Sequence, residues 1–172
     1  MSKGVDVPID ELVGVFDSEL WISNNCQFYG RIFRNEIINQ QTGQKIIVPE
    51  YYIENSDDYR DVLLDDSKDA IGFFDVVADN SIIPTVADVR VCFAVNLQKL
   101  YPAIGTRATE YAHESVYNIL KGSIALFDTA SKLIRGADAF SDYGQSDATK
   151  HNMSPYYLFR FDVKLEYKLF NC

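Results

Sequence analysis

The sequence predicts an α+β protein: a mainly antiparallel sheet with long strands, packed on one face by about two or three helices. Three observations carry this. Residues 87–97 (ADVRVCFAVNL) and 157–169 alternate apolar and polar side chains with a period of two. Residues 9–20 and 108–120 place their apolar side chains at helical spacing. Strands also come in runs instead of alternating with helices, the pattern of α+β order and not of parallel βαβ units.

The elements follow in chain order. Pro8 suits a first helical turn, with Asp6 as a candidate cap. Ile9, Leu12, Val13, Phe16 and Leu20 then share one helical face. Residues 26–53 read as a hairpin: CQFYGRIFRNEII, a polar turn NQQTGQ, and a returning KIIVPEYYI. Pro49 places the returning strand at an edge or interrupts it. SDDYRDVLLDDSKDA fits a short surface helix or an ordered loop, and IGFFDVVA reads as a strand. Thr106 is a candidate cap for a helix whose inner face carries Ala108, Tyr111, Ala112, Ser115, Val116, Ile119 and Leu120, closed by Gly122. SIALFDTASKLIR fits either a second helix or a strand followed by a turn. Residues 136–154 are a long polar loop, of a kind that often carries function.

The last strand is YLFRFDVKLEYKLF, residues 157–170. Its odd positions, Tyr157 to Leu169, are apolar. Its even positions Arg160, Asp162, Lys164, Glu166 and Lys168 alternate in charge sign. A sheet with helices on one face leaves its other face wet, and such alternation follows. Opposite charges on a neighbouring strand, such as Asp88 and Arg90, can pair with this row at about 0.2–1 kcal/mol each. At about 3.3 Å per residue the strand spans about 43 Å, roughly the width of the whole domain.

At 172 residues the chain makes one domain, 1–172, with an acidic insert at about 54–70. Its 47% hydrophobic and 13% aromatic content argue against disorder. The net charge is −9, of which residues 50–79 contribute −8. A phosphate-binding surface would show the opposite bias, so nucleic-acid binding by the whole surface is disfavoured. No apolar run is long enough to span a membrane, and the N-terminal MSKGVDVPIDEL lacks the apolar core of a signal peptide. The expected compartment is a cytoplasm.

No catalytic or nucleotide-binding motif is present, and no enzyme activity or cofactor is expected. Cys26, Cys92 and Cys172 are far apart, and His113 and His151 stand alone. Asp65-Asp66-Ser67-Lys68-Asp69 has oxygen ligands without the order of a calcium loop. The cluster Asp57, Asp58, Asp61, Asp65 and Asp66 reads as a solvated acidic face or as a surface for a basic partner protein. In the second case the chain is a soluble acidic adaptor or inhibitor.

The arrangement resembles the tail-completion, tail-terminator and neck-ring proteins of tailed bacteriophages. The features that carry the resemblance are Ile9–Leu20, the hairpin around Asn39–Gln44, the pair ADVRVCFAVNLQKLYP and RATEYAHESVYNIL, and the final PYYLFRFDVKLEYKL. The resemblance implies a structural virion protein at the head–tail junction. It implies a homo-oligomeric ring, assembled in the host cytoplasm, that bridges portal and tail while DNA passes through without specific binding. The candidate contact residues are the acidic cluster and the row Arg160, Asp162, Lys164, Glu166 and Lys168.

Overall fold

The computed structural model describes residues 3–40, 42–53, 58–62, 67–80, 85–104, 107–123, 126–144 and 155–168. Their elements in order are α1 (Asp6–Glu19), β1 (Cys26–Arg31), β2 (Phe33–Ile38), β3 (Lys45–Ile53), β4 (Asp58–Asp61), β5 (Ala70–Asn80), β6 (Val86–Asn96), α2 (Leu97–Leu100), α3 (Thr109–Gly122), β7 (Leu126–Arg135), a short 3-10 turn (Gly136–Phe140) and β8 (Tyr156–Glu166). The class is α+β. A five-stranded sheet runs β1-β5-β6-β8-β7, and a three-stranded antiparallel sheet runs β2-β3-β4. The large sheet is antiparallel except at one edge, where β1 runs parallel to β5. Among the described residues no helix is long and apolar enough to cross a membrane.

The two strongly alternating segments, β6 and β8, lie side by side in unbroken register from Val86↔Glu166 to Asn96↔Tyr156. Because side chains alternate faces, one register sets both surfaces of the sheet. Val89, Val91, Phe93 and Val95 meet Phe159, Phe161, Val163 and Leu165 on the helical side. There α1 adds Ile9, Leu12, Phe16 and, just beyond its end, Leu20; α3 adds Ala112, Val116 and Leu120. Phe93 stacks on Phe159 with ring centres 5.1 Å apart and meets Phe16 edge-on at 5.6 Å. Gly72 makes room for this cluster: a Cβ there would lie 2.8 Å from Phe28 and 2.9 Å from Phe93.

Several local expectations are corrected. Residues 26–53 are not one hairpin. The chain changes sheets at buried Ile32, whose N–H donates to the Phe74 carbonyl, and only β2 and β3 form the hairpin. The aromatic residues before that point are needed by the large sheet. Asp6 opens the first turn of α1 instead of capping it, and faces Arg31 at 3.5 Å. Tyr111 is exposed, whereas His113 is buried. Thr106 lies outside the described residues. Residues 126–135 are a strand, which resolves the open choice there. Pro49 sits in the middle strand of its sheet. Its carbonyl accepts from Val62, just past the last β3–β4 pair, so the N–H it lacks would point where the ladder has ended.

The largest correction concerns the supposedly wet face. Its upper half is covered by a second apolar cluster of Tyr29, Ile32, Val62, Ile71, Phe73, Cys92, Phe140, Tyr143 and Leu158. The start of the predicted polar loop supplies Ala139, Phe140 and Tyr143, all buried. These three apolar side chains dock 139–143 onto the sheet, while 145–154 lies outside the described residues.

Candidate interaction surfaces

The even-numbered row of β8 divides at Asp162. Arg160 is buried, and its Nη1 donates to the Ala139 carbonyl at 3.0 Å. Its Nε lies 3.0 Å from Asp162 Oδ1, close in distance but not aligned as a hydrogen bond. Lys164, Glu166 and Lys168 are exposed. Lys164 stands opposite Asp88 and donates to its Oδ1 at 2.8 Å, the pairing that the alternating charges predict. Arg90 stands opposite Asp162, yet its guanidinium turns to Asp142. The open half of the face is a shallow groove between Asp88, Arg90, Asp162 and Lys164, with Val77 of β5 exposed beside them.

Beneath the covered half lies a charge network. Asp75 is buried on β5 and accepts from Arg34 Nε at 3.0 Å, Arg34 Nη2 at 2.6 Å and the Tyr143 hydroxyl at 2.6 Å. Arg90 Nη1 lies 3.7 Å from the same carboxylate. The Arg90 hydrogen bond holds the Asp142 carboxyl below the usual carboxylate range. Burial pushes the Tyr143 hydroxyl up, so Tyr143 stays a donor. Arg34 comes from β2, Asp75 and Arg90 from the large sheet, and Asp142 and Tyr143 from the docked segment. Three separate pieces of chain are thus tied at one buried carboxylate. Sequence reasoning missed this network, because Asp75 reads as one acid among ten.

The acidic cluster is only partly placed. Asp58 and Asp61 sit at the two ends of β4, the exposed edge strand of the small sheet. Asp57, Asp65 and Asp66 lie outside the described residues. Arg60 lies between Asp58 and Asp61, so the described part of this stretch is of mixed sign.

Among the described residues, Cys26, Cys92 and His113 are the thiols and imidazole, and each is at least half-buried. Cys26 is half-buried, and burial pushes its thiol up to about 12; buried Cys92 is pushed up by the same cause. Neither is a thiolate near neutral pH. His113 packs edge-on against Phe159, and its Nε2 lies 3.1 Å from the Tyr157 hydroxyl. Burial and the Arg135 charge lower its pKa, against the pull of Glu110. Among the described residues no group of three His, Cys, Asp or Glu side chains could hold a metal ion. Between α1 and α3 runs a second groove, floored by Leu12, Val15 and Ile119 and rimmed by Glu11 and Glu19. No family model, curated protein or solved structure matches this chain.

Proposed function

We propose that the chain is a structural protein that assembles with copies of itself into a ring at a phage head–tail junction. There it joins portal, neck or tail proteins around the DNA channel. One observation carries the assembly reading: the open half of the charged sheet face. Val77 is 45% exposed on β5, beyond the stretch Ala70–Phe74 that pairs with β1, and lies beside Asp88, Arg90 and Lys164. An apolar spot inside a charged rim has the arrangement of a protein contact, apolar at the centre and polar around it.

A ring needs two different patches on each subunit. The second lies across the sheet, on the helical side, where Glu11 and Glu19 rim the groove between α1 and α3. Its acids complement Lys164 and Lys168, so the face of one subunit suits the back of the next. The placement of this ring at a phage neck rests on the resemblance of the element order.

Electron microscopy and light scattering on the purified chain test the reading. The expected result is a particle of cyclic symmetry, alone or with purified portal or tail proteins. A monomer at high concentration that also fails to join those partners overturns it. The rival reading is an acidic adaptor acting through 54–69. It requires a monomer whose binding to a basic protein is lost on reversing Asp58 and Asp61, which are both exposed.

A further inference from the structure

β2 is the outer strand of the small sheet, and all six of its residues are exposed. Edge strands are normally protected from pairing by a proline, a bulge or inward charges. β2 carries no proline or bulge, its one inward-turned charge, Arg34, is neutralised by Asp75, and its register with β3 runs unbroken from Phe33↔Glu50 to Ile38↔Lys45. On one face of this sheet Phe33 and Ile37 are exposed, and Phe33 meets exposed Tyr59 edge-on at 5.7 Å. On the other face lie Arg34, turned toward Asp75, and Glu36, which bonds exposed Lys45 at 3.2 Å.

The sequence Phe33-Arg34-Asn35-Glu36-Ile37 is complementary to its own antiparallel copy. Two copies related by a two-fold axis normal to the sheet keep the same faces together, so paired residues share parity. Three registers are then close at hand. Centring on residue 34 sets arginine against arginine, and centring on residue 36 sets glutamate against glutamate. Centring on Asn35 sets Phe33 against Ile37 and Arg34 against Glu36, each twice. Opposed charges and aromatic–β-branched pairs favour that register, and like charges disfavour the other two. Arg34 can take part without leaving Asp75, because its Nε and Nη2 make those bonds and its Nη1 has no partner among the described residues. Its side chain is 33% exposed.

We propose that β2 pairs with β2 of a second copy about a two-fold axis at Asn35, joining two small sheets into one six-stranded sheet. The ligand of this edge is therefore the chain itself. The contact is isologous and uses a surface separate from the groove face and the helical groove, so it does not rest on the ring.

Sedimentation equilibrium of the full chain tests this, alongside cross-linking in a Cys172→Ser background. Dimerisation should rise with concentration, and Glu36→Arg should weaken it by about tenfold or more, since it opposes the partner's Arg34. Residue 36 is exposed, so circular dichroism should show an unchanged fold. Asn35→Cys should give a disulfide-linked dimer under mild oxidation. Ile38→Cys should not, because three residues off the axis the two thiols stand roughly 20 Å apart. Equal cross-linking through both positions overturns the register, as does Glu36→Arg without effect. A monomer at every concentration overturns the contact itself. A ring untouched by Glu36→Arg and not cross-linked by Asn35→Cys also overturns the contact while leaving the ring reading intact. A dimer that forms no ring, even with portal or tail proteins, does the reverse.

Discussion

The two faces of the five-stranded sheet are held by different physics. The helical face is dry and aromatic: Phe16, Phe28, Phe74, Phe93 and Phe159 interlock there, and Ala112, Val116 and Leu120 of α3 close over it. The other face is split. Its upper half is covered by the small sheet and residues 139–143 and is tied by Asp75, Arg34, Arg90 and Asp142. Its lower half is left open, with an exposed charge pair between Lys164 and Asp88. The first face specifies the fold by volume. The second specifies by charge how three chain segments dock, and leaves its lower half exposed.

The comparison breaks most clearly at Asp75. Asp75→Ala removes the buried carboxylate that binds Arg34, faces Arg90 and accepts the Tyr143 hydroxyl, leaving the partly exposed Asp142 beside the two arginines. Stripping a partner from a buried ion pair costs about 3–5 kcal/mol, chiefly by leaving charge uncompensated. A urea titration should show the midpoint falling by the corresponding amount. If the loss is under about 1 kcal/mol, the network is peripheral and apolar packing alone holds this half.

The helical face should fail through crowding. Gly72→Ala places a methyl group against Phe28 and Phe93 at distances no real contact shows. Overpacking of this kind costs about 1–3 kcal/mol. The loss should be insensitive to salt, whereas the Asp75 network should respond to it, since partly exposed Arg34 and Asp142 belong to that network.

How much of this was legible in the sequence follows from the same contrast. Periodicity is a statement about which side chains prefer a dry surface. It therefore located β6, β8 and most of the inner faces of α1 and α3, and it set Asp88 and Arg90 against the charged row of β8 without saying which charges pair. It could not say that residues 26–31 leave β2 to join β5, because the same aromatic and β-branched composition suits a strand in either sheet. Nor could it tell the solvent from a second layer. Arg160 and Lys164 look alike in an alternating row, yet one is buried under Ala139 and the other is exposed. The covering residues, Ala139, Phe140 and Tyr143, are three apolar positions in a polar stretch with no periodicity to announce them. The candidate contact surface was legible only as a row of charges. The division of that row into a buried end and an open end came from packing.

Acid should separate the two faces by where stability is lost. On the helical face, burial lowers the His113 pKa, so the folded state favours neutral imidazole. Its contribution is fully present above the unfolded value, about 6.5, and is lost as pH falls from there through the lower folded value. On the other face Asp142 is held below 3.8, so its contribution persists to that value and is lost only as pH falls through its folded value. Urea midpoints measured from about pH 7.5 down to about pH 3 should show two separate steps. His113→Gln should remove the upper step alone. A single step near the carboxylate range would mean that His113 is not linked to folding.

The smallest effect on folding should come with the largest effect on assembly. Lys164 is about half exposed and pairs with equally exposed Asp88. Lys164→Glu should cost no more than about 0.5 kcal/mol, the range of surface ion pairs. In the ring reading it also places a negative charge where the next subunit presents Glu11 and Glu19, and the particle should fall apart into folded subunits. Reversing those two acids with Glu11→Lys and Glu19→Lys should restore it, because the contact is between two different patches and each can be changed alone. Rescue by the helical substitutions would join the open half of one sheet face to the helical side of a neighbour. Assembly that survives Lys164→Glu would show the open face to be solvated surface, and the contrast between the two faces would then concern folding alone.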